Sequence, residues 1–380
     1  MSLTGEIKDY ALDLGYQAVG VATAEPFPAY ADALAERSDD YNWCLDHGLR
    51  LRRSIDPRDR LPGAKSIIVA IYDYFRESFP PQLVGRIGRL YQARCYLAPP
   101  HRLGGARIQL MRQLLEQKGM QVARWFGPSS GVPDRWAAVR AGVGQFGRNT
   151  FVAAPGIGTF INIHTFLVDA ELEYDEPTPE MHCPPRCRLC LDACPTGAIV
   201  ADFRVNPRRC IPFNHFATIE GLQNSSSYIE PAVRAKMGGW FYGCDVCQEV
   251  CPRNHGKLEA NLPNNTFLVE TARHFSLPAL LESNDECYAR IVTPLMYQYL
   301  GERKYFQRNA AVALGNSGDR DAVRYLARAL EDREELVRAH AAWALGQIGG
   351  GEARAALEAA LGRESGERAR AEIAAALEAA

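Results

Sequence analysis

Eight of the eleven cysteines in this 380-residue chain fall between positions 183 and 251, and their spacing constrains the fold more than any other feature. The first run has the pattern C-x3-C-x2-C-x3-C and is closed by Pro195, whereas the second, C-x2-C-x3-C, is closed by Pro252. A single cysteine, Cys210, lies between the two runs. Compact groups of soft thiolates are the ligands of iron–sulfur clusters, so this register predicts two [4Fe–4S] clusters.

The spacing also predicts which cysteines share a cluster. Bacterial ferredoxins with two clusters use C-x2-C-x2-C-x3-C-P twice, and the fourth cysteine of each run ligates the other cluster. On this pattern the first cluster is held by Cys183, Cys187, Cys190 and Cys251, and the second by Cys194, Cys210, Cys244 and Cys247. The first gap, residues 184–186, is one residue longer than in the ferredoxin pattern, and a long insertion separates the lone cysteine from the second run.

Two structural zinc sites are the alternative interpretation of these cysteines, because four cysteines can also ligate Zn²⁺. Both runs end in C-x3-C-P, which zinc ribbons do not require, and this favours iron–sulfur clusters. The remaining cysteines, Cys44, Cys95 and Cys287, are predicted to be buried or incidental thiols.

Composition and the N-terminal sequence predict a cytoplasmic protein without a membrane partner. The formal net charge of −2 gives no general sign of a nucleic-acid-binding protein. No apolar stretch reaches the length that crosses a bilayer. Residues 1–20 mix charged and apolar side chains, which predicts an amphipathic helix rather than a signal peptide. In the cytoplasm a dense group of cysteines indicates metal binding more than disulfides.

Residues 1–180 are predicted to form a mixed α/β domain. Residues 66–72 are rich in β-branched side chains and follow a Pro-Gly turn, and residues 159–168 are similarly composed, so both segments predict strands. Residues 107–118 have the apolar spacing of a helix that ends at Gly119.

A glycine-rich stretch at residues 141–150 lies between the predicted helix at residues 107–118 and the predicted strand at residues 159–168. It lacks the strand-then-helix setting of a dinucleotide-binding fingerprint. Glycines spaced this closely let the backbone approach a large flat or anionic ligand, and a plain turn is the alternative.

We predict a two-cluster domain over residues 181–260. After it, the amino-acid sequence contains an internal repeat. Residues 310–315 return as residues 341–346, with a period of 31 residues. Helical pairs of this kind are typical of HEAT-like repeats, which bury their apolar faces only by stacking. We therefore predict a helical repeat domain over residues 261–380.

These repeats carry a run of cations that could bind phosphates. The run consists of Arg303, Lys304, Arg308, Arg320, Arg324 and Arg328. The last three are four residues apart, so we expect them to share one helical face. An ordinary solvated face is the alternative interpretation of such a run.

The sequence resembles epoxyqueuosine reductases in four segments: residues 54–69, residues 134–150 (DRWAAVRAGVGQFGRNT), residues 190–199 (CLDACPTGAI) and residues 241–252 (FYGCDVCQEVCP). The last two segments are specific to this family among ferredoxin-like proteins. Together with the repeats, the resemblance covers nearly the whole chain. It implies an α+β protein with a cobalamin-binding α/β domain akin to that of reductive dehalogenases, a ferredoxin-like two-cluster domain and HEAT-like repeats.

The resemblance further implies reduction of epoxyqueuosine to queuosine at the wobble position of a tRNA anticodon. An external donor would supply electrons through the clusters to cobalamin, and tRNA would contact the repeats. Cobalamin would lie against residues 142–150 and residues 157–164. The cofactor-binding residues implied in this way are Gly142, Gly144, Gln145, Phe146, Gly147, Asn149 and Thr150. An acid must protonate the epoxide oxygen as it leaves.

The acid expected from the family is missing at its position. The family places an aspartate six residues before the acidic member of a Glu/Asp-Arg pair, and here Pro128 stands six residues before Asp134. A proline side chain cannot donate a proton, so Asp134 and Tyr96 become the candidate acids. Residues 89–101 also depart from the family's pattern.

Three hypotheses about function follow. The first is an epoxyqueuosine reductase whose acid comes from another position. The second is a divergent corrinoid iron–sulfur reductase that acts on a different, non-tRNA small-molecule substrate, and tRNA binding separates it from the first. The third is a pure electron carrier, which is disfavoured because a carrier needs neither residues 1–180 nor a repeat domain.

Overall fold

The computed structural model describes residues 2–46, 50–93, 103–123, 131–179, 183–215, 227–293 and 302–379. The predictions made for Cys95, Tyr96 and Pro128 fall outside the described residues. The strands are Ala18–Thr23, Ser66–Asp73, Gln145–Phe146, Val152–Ala153, Ile161–Val168, Ile199–Ala201 and Arg204–Val205. The α-helices are Leu3–Asp13, Pro28–Glu36, Ser38–Tyr41, Arg89–Gln92, Leu103–Gln117, Asp134–Arg140, Leu189–Ala193, Ile211–His215, Pro231–Arg234, Val246–Glu249, His255–Leu258, Thr266–Ala272, Leu277–Leu281, Asp285–Cys287, Arg303–Ser317, Val323–Ala329, Glu335–Ile348, Gly351–Leu361 and Glu367–Ala379. Short 3-10 turns occupy Leu51–Ser54, Pro57–Asp59, Pro207–Arg209, Pro252–Asn254 and Arg320–Ala322, and a π-helical turn occupies Tyr288–Val292.

A three-stranded antiparallel sheet forms the centre of the first domain. Ser66–Asp73 is the middle strand and pairs with Ala18–Thr23 on one side and Ile161–Val168 on the other. Residues 67–71 of the middle strand are all fully buried, which explains their apolar and mostly β-branched composition.

Helices cover both faces of this sheet. Val69 and the other odd-numbered residues of the middle strand pack towards the Asp134–Arg140 helix. Ile68 and Ala70 pack towards the Leu3–Asp13 and Leu103–Gln117 helices. This alternation follows from the two-residue period of a strand, and it decides which side chains of the edge strand face the candidate site.

The strands and helices predicted for this domain are present, with shifted ends. The strand predicted at residues 66–72 is confirmed. The strand predicted at residues 159–168 begins later, at Ile161, and the helix predicted at residues 107–118 begins earlier, at Leu103. The amphipathic helix predicted over residues 1–20 ends at Asp13, because residues 18–23 form the first strand.

The helices after residue 302 stack as the predicted repeats, and one glycine in each repeat lets them do so. A Cβ on Gly315 would lie 2.8 Å from the Cα of Ala344 in the next repeat, and a Cβ on Gly346 would lie 2.8 Å from the Cβ of Ala376. The two glycines are 31 residues apart, so the period of the sequence is the period of the close helix contacts.

The first repeat helix packs directly on the cluster region. The Phe306 ring lies 5.4 Å from that of Phe241, and the two belong to one continuous core. Arg308, predicted as a phosphate-binding cation, is fully buried in this contact. Its guanidinium donates to the carbonyls of Asn214 and His215 at 2.9 and 3.1 Å. The prediction for Arg308 is therefore wrong, because the helix face that carries it points into the protein.

The other predicted cations divide into two groups. Arg303 pairs with Asp285 at 2.7 Å and Lys304 pairs with Glu302 at 2.8 Å, so both are engaged within the protein. Arg320, Arg324 and Arg328 are exposed, and of these Arg328 also pairs with Glu282. The helix begins only at Val323, so Arg320 lies in the preceding 3-10 turn rather than on the same helical face.

Among the described residues, no helix is both long enough and apolar enough to cross a membrane.

We expect Gly315→Val to destabilise the protein by about 1–3 kcal/mol, because the added side chain collides with the backbone of the next repeat. Helix propensity alone slightly favours valine over glycine, so a loss of stability reports the contact. Thermal unfolding of the variant measures the effect. Gly362→Ala is the matched control, since its Cβ would meet only the carbonyl of Ala359, at 3.8 Å. An unchanged unfolding temperature for Gly315→Val would contradict the close-contact explanation.

Candidate functional site

The two cysteine runs adopt the same local structure. Cys190 and Cys247 each lie in a short helix, and the two helices pack against each other. Each run then ends in an extended residue before a proline, Cys194 in the first run and Cys251 in the second. Proline disfavours helical backbone at the residue before it, so the Cys-Pro pair ends the helix and carries the last thiol beyond it.

The eight thiols fall into two groups of electrostatic neighbours, which we call the first quartet and the second quartet. The first quartet is Cys183, Cys187, Cys190 and Cys251, and the second is Cys194, Cys210, Cys244 and Cys247. Burial, and then the other three thiolates of its quartet, raise the pKa of Cys190 to about 11. Burial and the other members of the second quartet hold the pKa of Cys247 well above its usual value. The grouping follows the ferredoxin spacing, and ligation of clusters by these thiols stays a prediction.

No three His, Cys, Asp or Glu side chains come close enough to share one metal ion within the part of the chain that the structure describes. Cys44, outside the quartets, is fully buried and donates to the carbonyl of Tyr41 at 3.3 Å. Burial raises the pKa of Cys44 to about 12, as expected for the inert thiol that was predicted. Cys287 is half-buried.

A buried donor beside the first quartet fits a cluster. Arg148 donates to the carbonyl of Pro185 at 2.9 Å and forms an ion pair with Asp202. Its Nε is buried with no hydrogen-bond partner among the described residues, and Cys183 and Cys187 lie close enough to act on its charge. Cluster sulfurs accept hydrogen bonds, and such bonds are among the features that set cluster potentials. Through its hydrogen bond to Pro185, Arg148 also positions residues 184–186, which form the three-residue gap of the first run.

A buried polar network attaches the cluster region to the sheet domain. Asn254 donates to the hydroxyl of Thr159 at 2.8 Å and accepts from its backbone N–H at 2.8 Å. Thr159 donates in turn to Gln248 at 3.0 Å. A Cβ on Gly158 would lie 2.3 Å from the Asn254 side-chain oxygen, so this contact requires glycine. Asn254 lies three residues after Cys251, and Gln248 comes directly after Cys247. The network therefore fixes both quartets against the sheet.

The helix that begins at Asp134 lies beside the second quartet, and we call the region between them the recess. Arg135 is exposed to solvent in this recess. Surrounding protein nevertheless lowers the pKa of its guanidinium by desolvation, and the charges of Tyr41, Asp134 and Cys247 oppose that shift. Arg135 also donates to the carbonyl of Thr150 at 3.2 Å. Arg135 therefore reaches solvent while lying close to Tyr41, Asp134 and Cys247.

Asp134 is the candidate acid of this recess. Its carboxylate accepts a hydrogen bond from Thr165 at 2.7 Å. Burial raises the pKa of Asp134 from 3.8 to about 6, against the opposing effects of Thr165 and Arg135. Thr165 pairs with Val69 in the sheet and so faces the Asp134 side. A carboxyl group with such a pKa is protonated in mildly acidic solution, closer to neutral pH than an ordinary aspartate, and can then donate its proton.

Aromatic side chains line the recess beside these charges. The Tyr30 ring lies 6.2 Å from that of Trp136, and Asp134 and Arg135 are among the charges that act on the Tyr30 hydroxyl. Tyr41 donates to the carbonyl of Val205 at 3.2 Å. Aromatic faces with a few polar groups are typical of sites for organic ligands.

The glycines predicted to approach a cofactor are required by the domain itself. Gly142 has φ +73°, and its Cβ would lie 2.5 Å from the carbonyl oxygen of Glu176. A Cβ on Gly144 would lie 2.3 Å from a methyl of Val152. A valine at position 144 would therefore disturb the packing of the domain. Loss of cofactor binding in such a variant would not show that Gly144 contacts the cofactor. The glycine spacing has a packing cause, which the sequence alone could not separate from a ligand-binding one.

The other implied cofactor-binding residues have internal contacts as well. Gln145 and Phe146 form a short strand paired with Val152–Ala153, and the Phe146 ring lies 5.2 Å from Trp136. A Cβ on Gly147 would lie 2.9 Å from the side chain of Asn149. Asn149 is buried and donates to the carbonyl of Cys247 at 3.1 Å, so it bridges the loop to the second quartet. Thr150 has φ +69° and accepts from Arg135.

Residues of the edge strand divide between the two faces of the sheet. Ile161 and Ile163 pack on the side of the Asp134–Arg140 helix, whereas His164 faces the opposite side and hydrogen-bonds Tyr16 at 2.7 Å. The contact of residues 157–164 with a cofactor stays a prediction. Thr165, the next residue, faces the recess. Sequence reasoning missed Thr165, because its approach to Asp134 depends on sheet register. It also missed Arg135 and Arg148, although both are charged residues inside residues 134–150, one of the segments that carry the resemblance.

Family models match two parts of the chain. A model described as a 4Fe-4S double cluster binding domain matches residues 182–254, and one described as HEAT repeats matches residues 293–378. These matches confirm the predicted cluster region and repeat region. The domain boundaries predicted at residues 180 and 260 stay a prediction.

Curated relatives and solved structures match almost the whole chain. An epoxyqueuosine reductase of Staphylococcus aureus is 32% identical over 357 residues, covering 93% of this chain and 90% of the relative. That of Bacillus subtilis is 30% identical over 352 residues, covering 91% and 88%. A crystal structure of an epoxyqueuosine reductase with an epoxyqueuosine-modified tRNA-Tyr stem loop has a TM-score of 0.81 at 27% identity, covering 99% and 98%. A Bacillus subtilis structure with its catalytic loop swung out of the active site has a TM-score of 0.82 at 28% identity, with the same coverage.

We expect protein purified without oxygen to contain about eight irons per chain, and Cys194→Ala to lose about half of them, because each quartet holds one four-iron cluster. Iron analysis and visible absorption measure the loss. Cys287→Ala is the matched control, since Cys287 belongs to neither quartet. Stoichiometric zinc without iron, or full iron in Cys194→Ala, would contradict the assignment of the quartets.

Proposed function

The chain belongs to the epoxyqueuosine reductase family, and we propose that it reduces epoxyqueuosine to queuosine in tRNA. The observation that carries this proposal is that Arg135, next to the candidate acid Asp134, lies close to a thiol of the second quartet. Reduction of an epoxide to an alkene consumes two electrons and two protons and releases water. Clusters on the quartets would deliver the electrons, and a carboxyl group would deliver a proton. The alternative of a small non-tRNA substrate is not favoured by the relatives.

Cobalamin is the group that we propose for the recess. The residues there fit it in kind, because Tyr30 and Trp136 offer aromatic surface, with their rings at 57° to each other, and Arg135 and Thr150 offer polar groups for its amide-bearing edge. Bound cobalamin would supply the reductive chemistry that no protein side chain provides. Direct contacts of residues 142–150 with it, and the likeness of this domain to reductive dehalogenases, remain part of the proposal.

Asp134 is the proposed proton donor, replacing the acid that Pro128 displaces. It lies on a regular helix and is held by Thr165 from the sheet, so its position does not depend on a loop. Arg135 lies between it and the second quartet and would orient the ligand by hydrogen bonding. Tyr96, the other predicted candidate, lies outside the described residues.

We expect Asp134→Asn to lower the turnover of epoxyqueuosine-containing tRNA by about 10²–10⁴-fold, as loss of a general acid does. In the unchanged protein, turnover should fall as pH rises above about 6, because the donor loses its proton there. The variant should lack that dependence. Single-turnover assays across pH measure both effects. The control is Asp175→Asn, which removes a carboxylate that forms an ion pair with Lys8.

A stability measurement separates this role from a structural one. The pKa of Asp134 is raised in the folded state, so the fold loses stability as pH rises from about 4 to about 6, and the asparagine variant should lose less. Normal turnover by a fully folded Asp134→Asn would show that another residue donates the proton.

tRNA is the proposed substrate, and the exposed arginines of the first repeat are proposed to contact its phosphates. Arg324 stacks on the Tyr325 ring at 4.7 Å, and Arg320 is exposed beside it. Such contacts give salt-dependent affinity that tolerates sequence. Since the proposed substrate is a tRNA, we also propose that the reaction takes place in the cytoplasm.

We expect Arg320→Glu combined with Arg324→Glu to weaken tRNA binding at low salt and to reduce the slope of log affinity against log salt by about one to two. Binding titrations over a range of salt concentrations measure both. Lys236→Glu with Arg273→Glu, two exposed cations outside the run, is the matched control. Unchanged affinity and slope would place the tRNA elsewhere on the protein.

A further inference from the structure

The surface over the first quartet is open and apolar. Leu189, next to a cysteine of this quartet, is 48% exposed, and Val200 is 45% exposed. The Leu189–Ala193 helix packs against the Ile199–Ala201 strand, so the two side chains belong to neighbouring elements. Pro184 and Pro185 are exposed in the gap of the first run.

Two arginines border this apolar surface. Arg186 and Arg188 are exposed on either side of Cys187, and residues 183–190 contain no acidic side chain. Arg188 approaches Asp192 at 3.5 Å, but both side chains are more than 60% exposed, so water screens the pair and leaves the guanidinium available. We call this region the entry surface; it consists of Pro184, Pro185, Arg186, Arg188, Leu189 and Val200.

The second quartet has the opposite surroundings. Tyr242 and Asp245, on the two sides of Cys244, are 0% and 3% exposed, and Gln248, after Cys247, is 3% exposed. Arg135 lies close to Cys247, so the second quartet borders the recess. The first quartet thus borders an open protein surface and the second borders the candidate active site.

We propose that the entry surface docks an acidic one-electron carrier protein of the ferredoxin or flavodoxin class. The inference rests on the proposed function, which consumes two electrons per epoxide that the chain itself cannot supply. In each docking event the carrier would lose one electron, and a [4Fe–4S] cluster held by the first quartet would gain it, going from 2+ to 1+. A cluster held by the second quartet would take the electron onward, and two docking events would supply the two electrons of one turnover.

The chemistry of the entry surface matches this partner. A small apolar centre with a charged border suits the brief, weak contacts that electron carriers make. The two arginines attract an acidic partner, and such steering raises association rates by about 10–10³-fold in a salt-dependent way.

The test measures cluster reduction by two reductants under anaerobic conditions. Full-length protein with reconstituted clusters is mixed with reduced flavodoxin, an acidic carrier, or with reduced methyl viologen, a small dye that needs no docking. For Arg186→Glu combined with Arg188→Glu, we expect the second-order rate constant with flavodoxin to fall at least tenfold and to lose its salt dependence. The rate with methyl viologen and the iron content should not change.

Arg354→Glu combined with Arg363→Glu is the matched control, since it reverses two exposed arginines in the last repeats. Should the glutamate variant fail to assemble clusters, Leu189→Ser combined with Val200→Ser tests the apolar centre with the same readouts. A flavodoxin rate equal to that of the unchanged protein overturns the proposal, as does a rate in the unchanged protein that is insensitive to salt. In a separate tRNA-binding titration of the same variant, loss of affinity together with an unchanged flavodoxin rate would overturn the proposal and assign the surface to tRNA. The assay contains neither tRNA nor cobalamin, so its failure is distinct from failure of the proposed reductase activity.

Discussion

The exchange of one thiol between the two cysteine runs is the constraint on which the rest of the structure depends. Cys194 and Cys251 each belong to one run by sequence and to the other run's quartet by position. Neither quartet can close until both short helices have docked. Because metal binding in such sites is also folding free energy, assembly of the clusters is coupled to everything packed on those helices. The repeats are included, since Phe306 and Arg308 bury themselves against the same region.

The position of the candidate active site follows from how the sheet domain attaches to that cluster region. Asn254 follows the Cys-Pro pair of the second run and hydrogen-bonds Thr159, just before the edge strand of the sheet. Asn149 makes a second attachment, to the carbonyl of Cys247. With both attachments made, the helix that begins at Asp134 lies beside the second quartet. The recess is therefore a consequence of docking two separately recognisable modules.

Features with a local cause were predictable from the sequence. The cysteine groups, the middle strand and the repeat period each follow from spacing or composition over a few residues. Features that depend on distant packing were not predictable in this way. Arg308 has the appearance of a phosphate-binding cation until its helix face turns inward, and Gly144 appears suited to a ligand until Val152 is found against it. Thr165 carries no signal at all, because its role arises from pairing across the sheet with Val69.

The acidity of Asp134 shows which physical effect dominates in the recess. Its place at the start of a helix, its hydrogen bond from Thr165 and the charge of Arg135 all favour the carboxylate. Burial favours the protonated form, and the pKa of about 6 means that burial outweighs the opposing effects of Thr165 and Arg135. A ligand that displaced water from the recess would increase the desolvation of Asp134 and would also strengthen the attraction of Arg135, because both effects grow as the local dielectric constant falls. The balance between these two effects therefore decides whether the acid keeps its proton when the site is filled.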